Sequence, residues 1–143
     1  VYKNPLIRTR RKVFKLSNGD LTSIYNSKTF CLYEDIDQIK SLGLAQGGSL
    51  ENAIVVKENK ILNDNGLRNR DEFVGHKILD CLGDLMLSGH RIFGHIKTSQ
   101  GGHQLTNALL SEFLLDKSNW QFESFEGKDN KDAGYPRSIA VNA

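Results

Sequence analysis

The sequence has little of several features that would settle its class at once. It holds two cysteines in 143 residues, and Cys31 and Cys81 each sit inside apolar periodic segments. Neither a disulfide framework nor a CxxC metal site is therefore indicated, and buried free thiols are the simpler expectation. No apolar run approaches the roughly 20 residues of a bilayer span. The opening VYKNPLIRTRRK also lacks the apolar core of a secretory signal. A cytoplasmic protein without stable membrane insertion is expected. Net charge is only +2, too small to argue for nucleic acid, although Arg8, Arg10, Arg11 and Lys12 cluster near the start. A solvated strand end explains that cluster more economically. Internal repeats and low-complexity segments are absent too. What is present is an ordinary globular balance, 38% hydrophobic and 25% charged residues, at a length suited to one domain, residues 1–143, around a single core. Val1 in place of an initiator methionine fits a chain processed or cut from something longer.

Local patterns sketch an order of elements. Asn18-Gly19-Asp20 between RKVFKL and LTSIYN is a hairpin signal, with the second flank readable as strand or as short helix. SKTFCLY is strand-like, Glu34 to Leu42 has helical spacing ended by Gly43, and ENAIVV is again a strand. Thr29 to Val56 thus predicts a βαβ unit with a right-handed crossover. ILND reads as a short strand before a turn at Asn65-Gly66. Asn69 with Glu72 three positions later has the spacing of a capping box, opening a helix that runs to about Ser88 with Gly89 as its stop. HRIFGHIKTS alternates as a strand would. Gly101-Gly102 opens a second helix whose expected buried stripe is Leu105, Ala108, Leu109, Phe113 and Leu114. Trp120, Phe122 and Phe125 mark a last strand candidate. The whole predicts an α+β fold, two long helices on one face of a mixed sheet.

The stretch DEFVGHKILDCLGD, Asp71 to Asp84, carries the chemistry. His76, Asp80 and Asp84 recur at four-residue steps on one helix face. Imidazole and carboxylate are both zinc ligands, and a catalytic zinc takes three protein groups with a fourth place for water. By spacing alone, His-x3-Asp is more often an ordinary hydrogen-bonded pair than a metal site, and a third ligand is missing. Lys77 between them reads as a solvated helix lysine. His103 sits at a helix start, where the dipole opposes a positive imidazole; to act as an acid it needs a carboxylate to hold its proton. Asp84 can be that carboxylate if the two helices pack side by side, and is otherwise a surface charge.

The combination TFCLYEDIDQIKSLGLAQGGSLENAIVV, NDNGLRNRDEFVGHKILDCLGDL and GHRIFGHIKTSQGGHQLTNALL closely resembles the C-terminal half of the UDP-3-O-acyl-N-acetylglucosamine deacetylases, zinc enzymes of lipid A synthesis in Gram-negative bacteria. The resemblance covers Thr29 to Leu110 in register. It implies the second of two similar domains, a two-layer α+β fold with two helices on one sheet face, in which residues 29–56 form a βαβ insert lining an acyl-chain passage. It further implies His76 and Asp80 as zinc ligands, Lys77 as a substrate contact, His103 as the catalytic acid, Asp84 as the carboxylate orienting it, and Thr29 as an oxyanion-binding hydroxyl. Phe30, Tyr33, Ile36, Gly48, Ser49 and Val55 fall where the insert lines the passage.

The expected reaction is zinc-assisted hydrolysis of the N-acetyl group of the UDP-sugar substrate. In the family the third zinc histidine and the general-base glutamate lie in an upstream N-terminal domain. The chain is therefore expected to depend on that domain as partner and to be inactive alone. Two departures stand out: Tyr33 is bulkier than the usual aliphatic residue, and Gln100 replaces a basic residue. A non-catalytic acyl-chain or lipid-precursor binding module is the alternative. A nucleic-acid binder using Arg8 to Lys12 is disfavoured, because the motif match lies elsewhere.

Overall fold

A computed structural model of the chain describes residues 4–7, 11–16 and 20–123. In chain order the elements are α1 (Thr22–Tyr25), β1 (Thr29–Leu32), a 3-10 turn (Tyr33–Asp35) leading into α2 (Ile36–Ser41), β2 (Ala53–Lys57), β3 (Lys60–Ile61), α3 (Glu72–Leu85) continued by a 3-10 turn (Met86–Ser88), α4 (His103–Leu115) and a 3-10 turn (Lys117–Asn119). The class is α+β, with several helices and a small mixed sheet in the order β1-β2-β3. The described residues belong to two compact units, one drawn from Val1–Val13 and Leu21–Leu79, the other from Phe14–Asp20 and Asp80–Ala143. The division falls within α3.

In the first unit β1 and β2 run parallel, Thr29 opposite Ala53 through Leu32 opposite Val56, and β3 pairs antiparallel with β2. Parallel neighbours need a crossover, and the 3-10 turn with α2 supplies it. α2 ends where the N–H groups of Leu42 and Gly43 turn back to the carbonyls of Gln38 and Lys40, with Gly43 left-handed at φ +71°. The core consists of Ile7, Ile54, Val56 and Phe73, with Leu6, Phe30, Leu32, Ile61 and Leu67 packed against it. Strand alternation puts Phe30 and Leu32 on the same side as Ile54 and Val56. Val55, between the latter two, is also buried, so β2 is covered on both faces and reads as a continuous apolar run rather than an alternating one.

Two buried polar side chains tie this unit together. The amide of Asn63 accepts the N–H of Val55 at 2.9 Å and donates to the carbonyls of Leu50 and Ala53, each at 2.7 Å. One side chain thereby closes the loop before β2 onto the segment after β3. Glu72, fully buried, accepts the N–H of Arg68 at 2.6 Å and that of Lys28 at 3.0 Å. The capping box takes a different form from the expected one. Asn69 does accept locally, from the N–H of Asp71 at 2.9 Å, but the Glu72 carboxylate reaches past Asn69 to Arg68 and to a distant strand approach.

In the second unit α3 ends as the sequence predicts, at left-handed Gly89 with φ +73°. α4 buries Thr106 and Leu110, and Phe113 is half-buried. The expected stripe is corrected, since Leu105 and Leu109 are 53% and 51% exposed. α4 is apolar around much of its circumference, so spacing offers two faces, and packing selects the one through Thr106, Leu110 and Phe113.

Four segments open to a strand reading are not strands. LTSIYN contains α1, the helical alternative, and RKVFKL, HRIFGHIKTS and Trp120 to Phe122 form no strand. Alternation makes a strand only where a neighbour offers a backbone ladder, and among the described residues none pairs with these segments. Phe125 and the hairpin tip Asn18-Gly19 lie outside the described residues.

Asn63→Asp keeps the acceptor for Val55 but turns both donated bonds into oxygen facing oxygen. Urea unfolding is expected to show a loss of about 2 kcal/mol or more, from two carbonyls left without donors. A loss under about 0.5 kcal/mol, typical of an uninvolved surface site, would show that the amide does not hold β2.

Candidate active site

α3 carries four of the candidate residues, and its part in the first unit contains His76 and Lys77. His76 is half-buried, and its Nδ1 lies 3.1 Å from the carbonyl oxygen of Ser27. A carbonyl can only accept, so in the neutral ring Nδ1 carries the hydrogen and Nε2 keeps its lone pair. Phe30 stands edge-on to Phe73, centroids 4.9 Å apart, and at 6.3 Å from the His76 ring. Lys77 Nζ lies 5.8 Å from the centre of the same Phe30 ring, within reach of a cation–π attraction. Sequence spacing missed two contributors here: Ser27, whose carbonyl sets the tautomer, and Gly75, whose position leaves no room for a Cβ beside Ser27. A glycine inside a well-formed helix pattern was the available signal.

In the second unit Asp80 and Asp84 follow on α3, and His103 opens α4 after an extended Gly102. His103 Nδ1–H donates to both oxygens of Asp84, at 2.8 and 3.0 Å, and Nε2 lies 4.0 Å from Asp80 Oδ1. The two carboxylates are each 12% exposed while the imidazole is 66% exposed. Sunken carboxylates thus hold a ring that remains accessible to a ligand, and their charge opposes the unfavourable dipole at the start of α4. Cys81, between them in sequence, has its thiol pushed up by burial and then by Asp84 and Asp80.

The remaining candidates lie in the crossover unit. Thr29 is exposed at the start of β1. Tyr33 is partly exposed with Lys57 Nζ 4.4 Å above its ring, Ile36 is half-buried at the start of α2, and Val55 is buried. Gly48 and Ser49 are exposed in a loop closed by Asn52, whose Oδ1 accepts the Ser49 N–H at 2.9 Å and whose Nδ2 donates to Gly47. The structure brings together His103, Asp84 and Asp80, and separately Phe30, His76 and Lys77. Among the described residues no group of three or more His, Cys, Asp or Glu side chains is placed to hold a metal ion. None of the described helices is long and apolar enough to cross a membrane.

Residues 1–115 match the family model for UDP-3-O-acyl N-acetylglycosamine deacetylase. The chain belongs to this deacetylase family. Relatives named UDP-3-O-acyl-N-acetylglucosamine deacetylase include one from Actinobacillus pleuropneumoniae serotype 3, 39% identical over 94% of this chain and 45% of the relative. Another, from Mannheimia succiniciproducens, is 45% identical over 78% of this chain and 37% of the relative. One from Haemophilus influenzae strain 86-028NP is 46% identical over the same shares, 78% and 37%. The chain spans about half the length of the curated relatives it matches, 45% of the first.

Cys31, inside β1 beside Thr29 and Phe30, has its thiol raised by burial first and by the charge of Asp35 second. Its iodoacetamide labelling is expected to rise at higher pH than in the urea-unfolded chain. Asp35→Asn removes a negative charge that disfavours the thiolate, so the profile should move part of the way back down in pH, with Cys81 as the unmoved reference. A profile that does not move would remove Asp35 as a cause.

Proposed function

We propose that the chain is the C-terminal domain of a zinc-dependent, cytoplasmic deacetylase that hydrolyses the N-acetyl group of UDP-3-O-acyl-N-acetylglucosamine in lipid A biosynthesis. The observation that carries this reading is the His103–Asp84 pair, bonded at 2.8 Å one turn beyond the His76-x3-Asp80 spacing. The donor types fit zinc: an imidazole already in the Nδ1–H tautomer and a carboxylate one turn along the same helix. His76 and Asp80 would hold the ion together with a third ligand from the part of the relatives that this chain does not span. That part is also read as supplying the general base. In this reading the chain is one of two domains, each a two-layer arrangement with two helices on one sheet face.

A zinc ion held there would act as a Lewis acid toward the acetyl carbonyl and the attacking water. The chain's own groups do the rest. Asp84 holds the proton on His103 Nδ1 and balances the charge of the imidazolium, so that Nε2–H can be presented to the departing amine nitrogen. The charged ring and the Thr29 hydroxyl stabilise the oxyanion of the tetrahedral intermediate. Lys77, its Nζ 5.8 Å from the centre of the Phe30 ring, is read as a substrate contact. Phe30, Tyr33, Ile36, Gly48, Ser49 and Val55 of the crossover unit form the acyl-chain passage, with buried Val55 in its wall.

The test is to join this chain to the complementary half of the Actinobacillus pleuropneumoniae relative and to follow acetate release from the UDP-sugar. Turnover is expected from the joined protein and not from the chain alone. His103→Ala should lower kcat by about 10²- to 10⁴-fold, the usual contribution of a general acid, with little change in KM. Robust turnover by the chain alone, or an unaltered kcat in the variant, would overturn the assignment.

A further inference from the structure

The tautomer of His76 depends on a carbonyl outside α3, that of Ser27, just before β1. Three contacts fix that carbonyl independently of the imidazole. The buried Ser27 hydroxyl donates to the Ser23 carbonyl at 2.7 Å. The next backbone N–H, that of Lys28, donates to Glu72 Oε1 at 3.0 Å. Gly75 presents a bare Cα to Ser27, where any Cβ would collide with the serine hydroxyl. Glu72, Gly75 and His76 are spaced by three and four residues from Glu72, so they share one face of α3. The face that carries the imidazole therefore also grips the segment that orients it.

We propose that Glu72 and Gly75 are positioning residues for His76. They hold Ser27 and Lys28 against α3, so that the Ser27 carbonyl takes the Nδ1 proton and the ring offers the Nε2 lone pair to a divalent cation. Only the identity of that cation rests on the zinc reading above; the tautomer is a property of this chain. A carbonyl partner on the second nitrogen is what fixes ring orientation and basicity in metal-binding histidines, and its loss typically costs about 10- to 100-fold in metal affinity.

The experiment uses the full chain at about pH 8, where an ordinary histidine with pKa near 6.5 is neutral. Long-range proton–nitrogen spectra read the protonated nitrogen of His76, with His90 and His95 as internal references, and zinc titration calorimetry is run on the same samples. The parent is expected to show the single Nδ1–H form. Glu72→Gln, whose amide sets a donor against one of the two N–H groups, and Gly75→Ala should each give a mixture of tautomers at His76 alone. Zinc affinity should fall in both by about 10- to 100-fold. Adding Ser27→Gly to Gly75→Ala makes room for the new methyl and should recover part of both readouts, the Ser27–Ser23 bond being lost. If Gly75→Ala does not fold, Glu72→Gln decides the question.

An Nε2–H form in the parent, or an unchanged His76 tautomer in the folded variants, would overturn the proposal. Tautomer changes as expected in a chain that takes up no zinc even when joined to the complementary half of the Actinobacillus pleuropneumoniae relative would leave the positioning role standing and sink the zinc reading. Equal zinc affinity in parent and variants would do the reverse.

Discussion

A carboxylate buried at the start of α3 is the constraint on which the first unit depends. Glu72 is fully buried, and removing an ion of that size from water costs several kcal/mol even after relaxation. Two backbone N–H groups, one on each oxygen, offset that cost with charge-assisted bonds. The positive end of the α3 dipole adds to them. The result is a fixed joint between α3 and the residues that lead into β1. Arg68 reinforces it, its guanidinium donating to the Asn26 carbonyl at 2.8 Å. Because Thr29 follows Lys28 directly, the same joint sets where β1 begins relative to His76.

Close approach at this joint accounts for a glycine that helix propensity disfavours. Gly75 lies inside α3 at a cost of about 1 kcal/mol relative to alanine. In return the backbone of α3 comes against Ser27, and the Ser27 carbonyl reaches the His76 ring. Alanine would regain the helical propensity and lose the contact. The local rule is broken where the candidate site needs it broken, which is the usual place for such conflicts.

The parts of this structure that were legible in the sequence are those fixed by local chemistry. Left-handed glycines at 43, 66 and 89 marked the ends of α2, a turn and the α3 extension. The parallel pairing of β1 with β2 followed from strand, helix and strand in succession. His76, Asp80 and Asp84 fall on one face of α3 because four-residue steps leave no other choice. What was not legible depends on partners remote in sequence. The spacing of Asn69 and Glu72 signalled a carboxylate reaching back, yet one of its two partners, Lys28, is 44 residues away. HRIFGHIKTS has strand alternation and no ladder among the described residues, and α4 has two apolar faces between which only packing decides. The His103–Asp84 bond belongs to the same class. Position allowed it, and the approach of α4 to the end of α3 makes it.

The two chemical elements proposed for the site differ in how much of each this chain contains. The proposed acid element lies whole within one unit: His103, Asp84 bonded to its Nδ1, and Asp80 4.0 Å from its Nε2. The proposed cation element would draw two donors from this chain, short of the three protein groups a catalytic zinc takes. Completion by a third ligand would nevertheless start from a favourable position. His76 already has its tautomer set by Ser27, so that part of the ordering has occurred in folding and need not be opposed again on binding. An imidazole with two interconverting tautomers would offer the wrong nitrogen part of the time, and the measured affinity would fall by that fraction. The Glu72 joint thus does more than stabilise the first unit; by fixing one carbonyl it decides which nitrogen of the neutral His76 ring carries the proton.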